Sequence, residues 1–215
     1  MILASTLRDP LAEIAALGLD PAAVAREAGL DGFEARETLP LSGFVRFLEA
    51  AGRAKGAAGL ARRAGRRFAL ANLGPVGAAM EAAPTLGAAL GALRDAFAAV
   101  QSDSALELLV EGSAARLRYR ILDPSIWPRA QDAEFTLAVL AGVIDRAAGR
   151  GWRPDAVSFE HPARDAAAWG CPVRGDALWN ELRFPAGLLS RPMARRDPAG
   201  GAAARPRFAE AARAA

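Results

Sequence analysis

Between Gln101 and Leu122 the spacing of apolar residues switches from a helical repeat to strict alternation, and this switch constrains the fold more than any other feature. In ALELLVEG (105–112), Leu106, Leu108 and Val110 alternate with Glu107 and Glu111. In ARLRYRIL (115–122), Leu117, Tyr119 and Ile121 alternate with Arg116, Arg118 and Arg120. Gly112 and Ser113 stand between the runs. The pattern predicts an antiparallel hairpin with one buried and one charged face. Glutamates of one strand and arginines of the next are expected to pair on the wet face, for roughly a few tenths of a kcal/mol each.

Everything upstream reads as helix. DPLAEIAALGL (9–19) and DPAAVAREAGL (20–30) share one pattern: Asp as an expected N-cap, Pro at the first helical position, and Gly near the end. Leu41, Phe44, Val45 and Leu48 fall at i, i+3, i+4, i+7, the buried face of a third helix. Leu60, Ala64 and Phe68 share one side of a fourth, and Arg62, Arg63, Arg66 and Arg67 are expected on its solvated side. From Pro84–Thr85 a further helix carries Leu86, Leu90, Leu93, Phe97 and Val100 as one stripe, expected in the core or else at a partner seam.

Downstream, a proline-punctuated turn (122–131) leads into DAEFTLAVLAGVIDRAAG, apolar round most of its circumference and so a central helix lying on the sheet. Asp132 and Glu134 stand in its first turn, where the helix dipole favours acids. WRPDAVSFEHP reads as a third strand with Val157, Phe159 and His161 on one face. Pro162 is expected to open a short helix, and CPVRG and LWNELRFP to form two more strands. The expected fold is therefore α+β: an N-terminal helical part (about 1–102), then a mostly antiparallel sheet (about 103–198) with a central apolar helix packed on it. Residues 199–215 read as a linker with one frayed helix.

Several function classes find little support. The 215 residues carry a net charge of +3, almost all of the positive charge being arginine, which is too mild to imply nucleic-acid binding. One cysteine allows no intramolecular disulfide. The N-terminus does not read as a signal peptide and no stretch reads as a membrane span, so a cytoplasmic protein is expected. His161 and Cys171 are the only histidine and cysteine, too few for the usual zinc ligand sets. Cys171, between Gly170 and Pro172, sits where a cysteine is usually a small hydrophobe rather than a nucleophile. No nucleophile elbow, phosphate loop or dinucleotide fingerprint occurs. No catalytic residue, metal or cofactor is therefore expected. A helix-turn-helix at 20–40 fails on charge, because DGFEARETLP would present Asp31, Glu34 and Glu37 to phosphates.

From Gly74 onward a series of segments stands in a characteristic order: GPVGAAMEAAPTLGAAL, LDP, the acid-started apolar helix, GRGWRPDAVSFEHP, WGCPVRG, WNELRFP and LLSRPMARRDP. With LGLDPAAVAREAGLD and LPLSGFVRFLEAAGRA before it, this resembles the arabinose-binding-like N-terminal domain of AraC-type transcription regulators, from about Leu7 to Pro198. Ala88 stands where the family often has Glu, and Arg174 where it often has an aromatic residue. Some AraC-type sensors are cupin-like barrels built almost wholly of strands; the many helical stretches here favour α+β.

The resemblance implies a domain that senses a small-molecule effector and supports homodimerisation, without catalysis. DNA would be bound by a separate C-terminal domain, toward which residues 199–215 would lead. The effector pocket is expected to be apolar with a few polar groups. Tyr119, Trp127, Phe159, His161 and Trp179 are its candidate ligand-binding residues. The competing expectation is a protein interaction module held by the Leu86–Val100 stripe and the arginine face, with no small ligand.

Overall fold

A computed structural model describes residues 1–54, 56–149, 151–163, 165–193 and 206–213. The helical part comprises β1 (Ile2–Leu3), α1 (Arg8–Ala16), α2 (Pro21–Glu27), β2 (Thr38–Leu39), α3 (Leu41–Arg53), α4 (Leu60–Arg67), α5 (Gly74–Ala82), α6 (Leu86–Asp95) and α7 (Phe97–Val100). The second part comprises β3 (Ser104–Glu111), β4 (Ala114–Ile121), α8 (Ala130–Ala148), β5 (Ala156–Ser158), β6 (Val173–Arg174) and β7 (Asn180–Pro185). Residues 206–213 are helical, and Phe208 and Ala212 pack against the core. The linker expected over 199–205 lies outside the described residues.

The period switch produces the hairpin at the expected place. Leu106 pairs with Tyr119 and Leu108 with Leu117 across β3 and β4. Gly112 takes φ +59° in the turn, a left-handed conformation that costs a Cβ-bearing residue free energy. The sheet order is β3-β4-β7-β5-β6, antiparallel throughout except for the β5–β6 pair. β7, the last strand in sequence, thus inserts between β4 and β5.

This insertion changes the charge pairing expected on the wet face. Arg118 lies opposite Glu107 in the hairpin register, yet it pairs with Glu181 of β7 at 2.7 Å. Arg120 pairs with Glu160, after β5, at 2.6 Å. Only Arg116 finds a hairpin glutamate, Glu111, at 2.8 Å. A strand with neighbours on both sides has two sets of partners, and the sequence order displays only one of them.

α8 is the central helix. It lies between the sheet, through β4 and β7, and the helical wall, through α3 and α4. Its closest approach is to α4. A Cβ on Gly65 would stand 2.4 Å from the Phe135 carbonyl oxygen and 2.7 Å from the Ala138 Cβ, so only glycine permits this spacing. Phe135 meets Phe44 and Phe68 edge-on, with centroids 6.0 and 5.6 Å apart, which fixes both wall helices against α8.

Four local expectations are corrected. Asp20 caps α2 through the Ala22 N–H, as its position suggests, but Asp9 does not cap α1. Its carboxylate instead accepts the Ala69 N–H at 3.0 Å and the Asn72 side-chain N–H at 2.8 Å, tying α1 to the segment before α5. The Leu86–Val100 stripe is two helices broken at Ala96, and all five of its residues are buried within the chain. It is core and offers no seam. Pro162 opens no helix; a single 3-10 turn forms later, at Ala166–Trp169. The arginine side of α4 is only partly solvated: Arg63 and Arg67 both bind the buried Glu13, Arg62 donates to the Ala168 carbonyl, and Arg66 is exposed. A buried carboxylate needs such partners, since its charge is otherwise left without solvation.

Candidate functional site

The start of α8 gathers most of the buried polar groups. Arg129, just before the helix, donates to the Ile121 carbonyl at 2.9 Å and pairs with Glu160 at 3.2 Å. Glu160 also holds Arg120 and accepts from the Asn180 side-chain N–H at 3.1 Å. Asn180 returns the contact by accepting the Glu160 backbone N–H at 3.0 Å. Glu160 thereby joins α8, β4, β7 and the end of β5. The Trp127 ring stacks on the Arg129 guanidinium at 5.5 Å, and Trp179 lies beside Arg118 and Arg120 at 5.9 and 5.5 Å.

A second polar chain runs deeper. The Tyr119 hydroxyl donates to Asp132 at 2.7 Å and accepts from the Gln101 side-chain N–H at 2.6 Å. Gln101 also donates to Ser104 at 2.7 Å. Asp132 is 1% exposed, and its Oδ1 has no hydrogen-bond partner. Burial pushes its carboxyl up to about 7, against the opposing pull of the Tyr119 hydrogen bond and the Arg129 charge. Glu134 is also raised to about 7, first by burial, with Arg62 opposing. Burial likewise raises the Tyr119 hydroxyl well above its ordinary value, so it remains a donor. Next to Gln101 lies an apolar chamber of about 50 Å³, walled by Phe44, Phe68, Phe97 and Phe135.

The void of ligand size at this junction is a cleft of about 320 Å³ between α3 and the 125–128 turn. Trp127, Ile126 and Pro128 form one wall; Val45, Ala28 and Ala50 form the other. Its polar lining includes Glu27, Arg46, Glu49 and Arg53. Glu49 accepts the Gln131 backbone N–H at 2.8 Å, satisfying one of the amides that a helix start leaves open. A groove of about 840 Å³ also runs between α1, α2 and residues 33–37, but its lining includes no residue of α8 or of the five-stranded sheet.

The five residues singled out in the sequence occupy different surroundings. Trp127 is 61% exposed and lines the cleft. Tyr119 is sealed in the core. Phe159 and His161 are buried and stack on each other, with centroids 4.7 Å apart. His161 borders Trp127, Arg129, Glu160 and Asn180. Trp179 is half-buried on the arginine face of the sheet, opposite Tyr119. The structure thus brings Trp127, His161 and Trp179 around the Glu160 hub, but only Trp127 reaches the cleft. Sequence reading missed Arg46 and Glu49. Their signal lay in the same helical repeat that marked Phe44, Val45 and Leu48 as apolar: they are three residues apart on the polar side of α3.

Cys171 neighbours Arg153 and Asp155, and burial raises its thiol, the opposite of what a nucleophile needs. No group of three metal-ligating side chains occurs among the described residues. No helix among them is long and apolar enough to cross a membrane. The segment after α2 is a 3-10 turn, Phe33–Ala35, followed by β2, so no recognition helix forms there.

The arabinose-binding domain of the AraC transcription regulator, N-terminal, is the family model that matches, over residues 18–193. The HTH-type transcriptional regulator VirS of Mycobacterium tuberculosis, in two strains, is 32% identical over 194 residues. The match covers 85% of this chain and 56% of VirS, so the chain spans about half the length of these relatives. The crystal structure of the transcriptional regulator CdpR from Pseudomonas aeruginosa shares the fold, with a TM-score of 0.68 at 15% identity, covering 97% of this chain and 64% of that one. The ordered segments from Gly74 onward, the α+β architecture and the family match agree, and the chain belongs to the N-terminal arabinose-binding domain family of AraC-type transcription regulators.

Proposed function

We propose that this chain is the effector-sensing part of a transcription regulator and that its small-molecule effector binds in the cleft between α3 and the Trp127 turn. The observation that carries this is the way the cleft is wired. Glu49 holds the first turn of α8 through the Gln131 N–H, and Trp127 stacks on Arg129, which binds the Glu160 hub of the sheet. A molecule resting on Glu49 and Trp127 acts on both the central helix and the sheet. Sensing then requires that the effector bind one arrangement of this junction more tightly than the other, because equal affinity shifts nothing. The domain performs no catalysis. It supports a homodimer in the cytoplasm, and DNA is contacted by a separate domain. Of the other candidates, His161 borders Trp127, while Tyr119, Phe159 and Trp179 lie outside the cleft lining.

A metabolite screen by thermal shift tests the reading. An effector at a hundredfold over its Kd should raise the Tm by roughly 5 °C or more. Trp127→Ala should cost less than about 1 kcal/mol of stability, because the ring is mostly exposed, yet abolish the shift. An intact regulator that keeps its promoter response after deletion of this domain would refute the sensing role.

A further inference from the structure

The cleft holds two opposite charges that do not pair with each other. Arg46 and Glu49 stand three residues apart on α3, a spacing that puts side chains on neighbouring positions of one face. Opposite charges at this spacing are within reach of each other, yet the described ion pairs include none between these two. Each charge is held by backbone instead. The Arg46 guanidinium donates through Nε and Nη2 to the Ala28 carbonyl, both at 3.3 Å, which leaves its Nη1 edge unengaged. Glu49 binds the Gln131 N–H through Oε1, which leaves Oε2 unengaged. The other two charges of the lining, Arg53 and Glu27, pair at 3.5 Å. What remains is one cation and one anion, each oriented by the fold, facing an apolar wall of Trp127, Ile126 and Pro128.

Resting on the effector-sensing reading, we propose that the cleft is a receptor for a zwitterion: an amino acid whose carboxylate meets Arg46, whose ammonium meets Glu49, and whose apolar or aromatic side chain lies on Trp127. The guanidinium presents paired N–H donors suited to a carboxylate. A singly charged molecule engages only one of the two groups and so forgoes one of the two charge-assisted contacts that a zwitterion makes.

Isothermal titration of the 215-residue chain with the proteinogenic amino acids tests this. Each amino acid that binds is compared with its amide, which keeps only the ammonium, and with its deaminated acid, which keeps only the carboxylate. At least one amino acid is expected to bind about tenfold or more tightly than both analogues. Arg46→Gln should remove the advantage over the amide, and Arg46→Lys should restore part of it. Glu49→Gln, which can still accept the Gln131 N–H, should remove the advantage over the deaminated acid. Circular dichroism and Tm of each variant show that it folds. No binding by any amino acid, or equal binding of the analogues, overturns the zwitterion. A neutral or singly charged metabolite whose binding depends on Trp127 also overturns it, while leaving effector sensing intact. The sensing role falls separately, by an unchanged promoter response in the domain-deleted regulator.

Discussion

Asp132 stands in the first turn of α8, where the helix dipole alone would favour the ionised carboxyl. Burial overrides the dipole, because the side chain is sealed between helix and sheet with one oxygen unpartnered. Burial raises this carboxyl from its ordinary value of 3.8 to about 7 in the folded chain. Between those values the folded state binds the additional proton, so stability falls as pH rises through the window. Glu134 adds a contribution of the same sign, between 4.5 and about 7. Unfolding free energies from urea melts between about pH 4 and about pH 8 should therefore decline, by on the order of a few kcal/mol. Asp132→Asn keeps an acceptor for Tyr119 and removes the charge, so its decline should be visibly shallower; an unchanged slope would show that Asp132 is not the group responsible. Residue identity and position in the helix were legible in the sequence. The environment was not, since the dipole rule is local and the burial comes from β4, thirteen residues away at Tyr119.

At the scale of elements, periodicity told which side of each helix is apolar but not where a helix stops. The stripe from Leu86 to Val100 runs unbroken through Ala96, a strong helix former, yet α6 and α7 separate there. The two pieces still turn every residue of the stripe inward, so the pattern recorded burial and not continuity. The α4–α8 contact shows the reverse case. Gly65 looked like an ordinary small residue in an arginine-rich helix, and it is the position that sets the distance between the two helices. Gly65→Ala would place its methyl inside the backbone of Phe135, so the helices must separate. The expected cost is about 1–3 kcal/mol despite the better helix propensity of alanine, read as a lower Tm. A Tm that rises would mean that α4 can slide over α8 without loss of packing.

At the scale of the molecule, one cluster of buried apolar residues extends from Ile2 in the helical wall to Met193 after the sheet, with α8 between the layers. Shared packing of this kind predicts one cooperative transition. The measurement is simple because all four tryptophans lie at or beyond residue 127, so fluorescence follows the sheet side while far-UV circular dichroism follows the helices on both sides. Coincident urea transitions are expected, and a helical signal that is lost earlier would mark the first hundred or so residues as a separate unit. Sequence by itself determined the α+β class, the hairpin and its turn, the centrality of α8 and the apolar face of nearly every element. These follow from periodicity, which is a property of neighbouring residues. Tertiary structure alone decided that β7 slots between β4 and β5, and therefore that Arg118 and Arg120 pair with Glu181 and Glu160. It also decided that Asp132 is buried, and that Arg46 and Glu49 face a cleft with Trp127 while bound to backbone and not to each other. The reason is common to all of these. A charged or polar side chain takes its partner from whatever the fold brings beside it, and those groups lie far away along the chain.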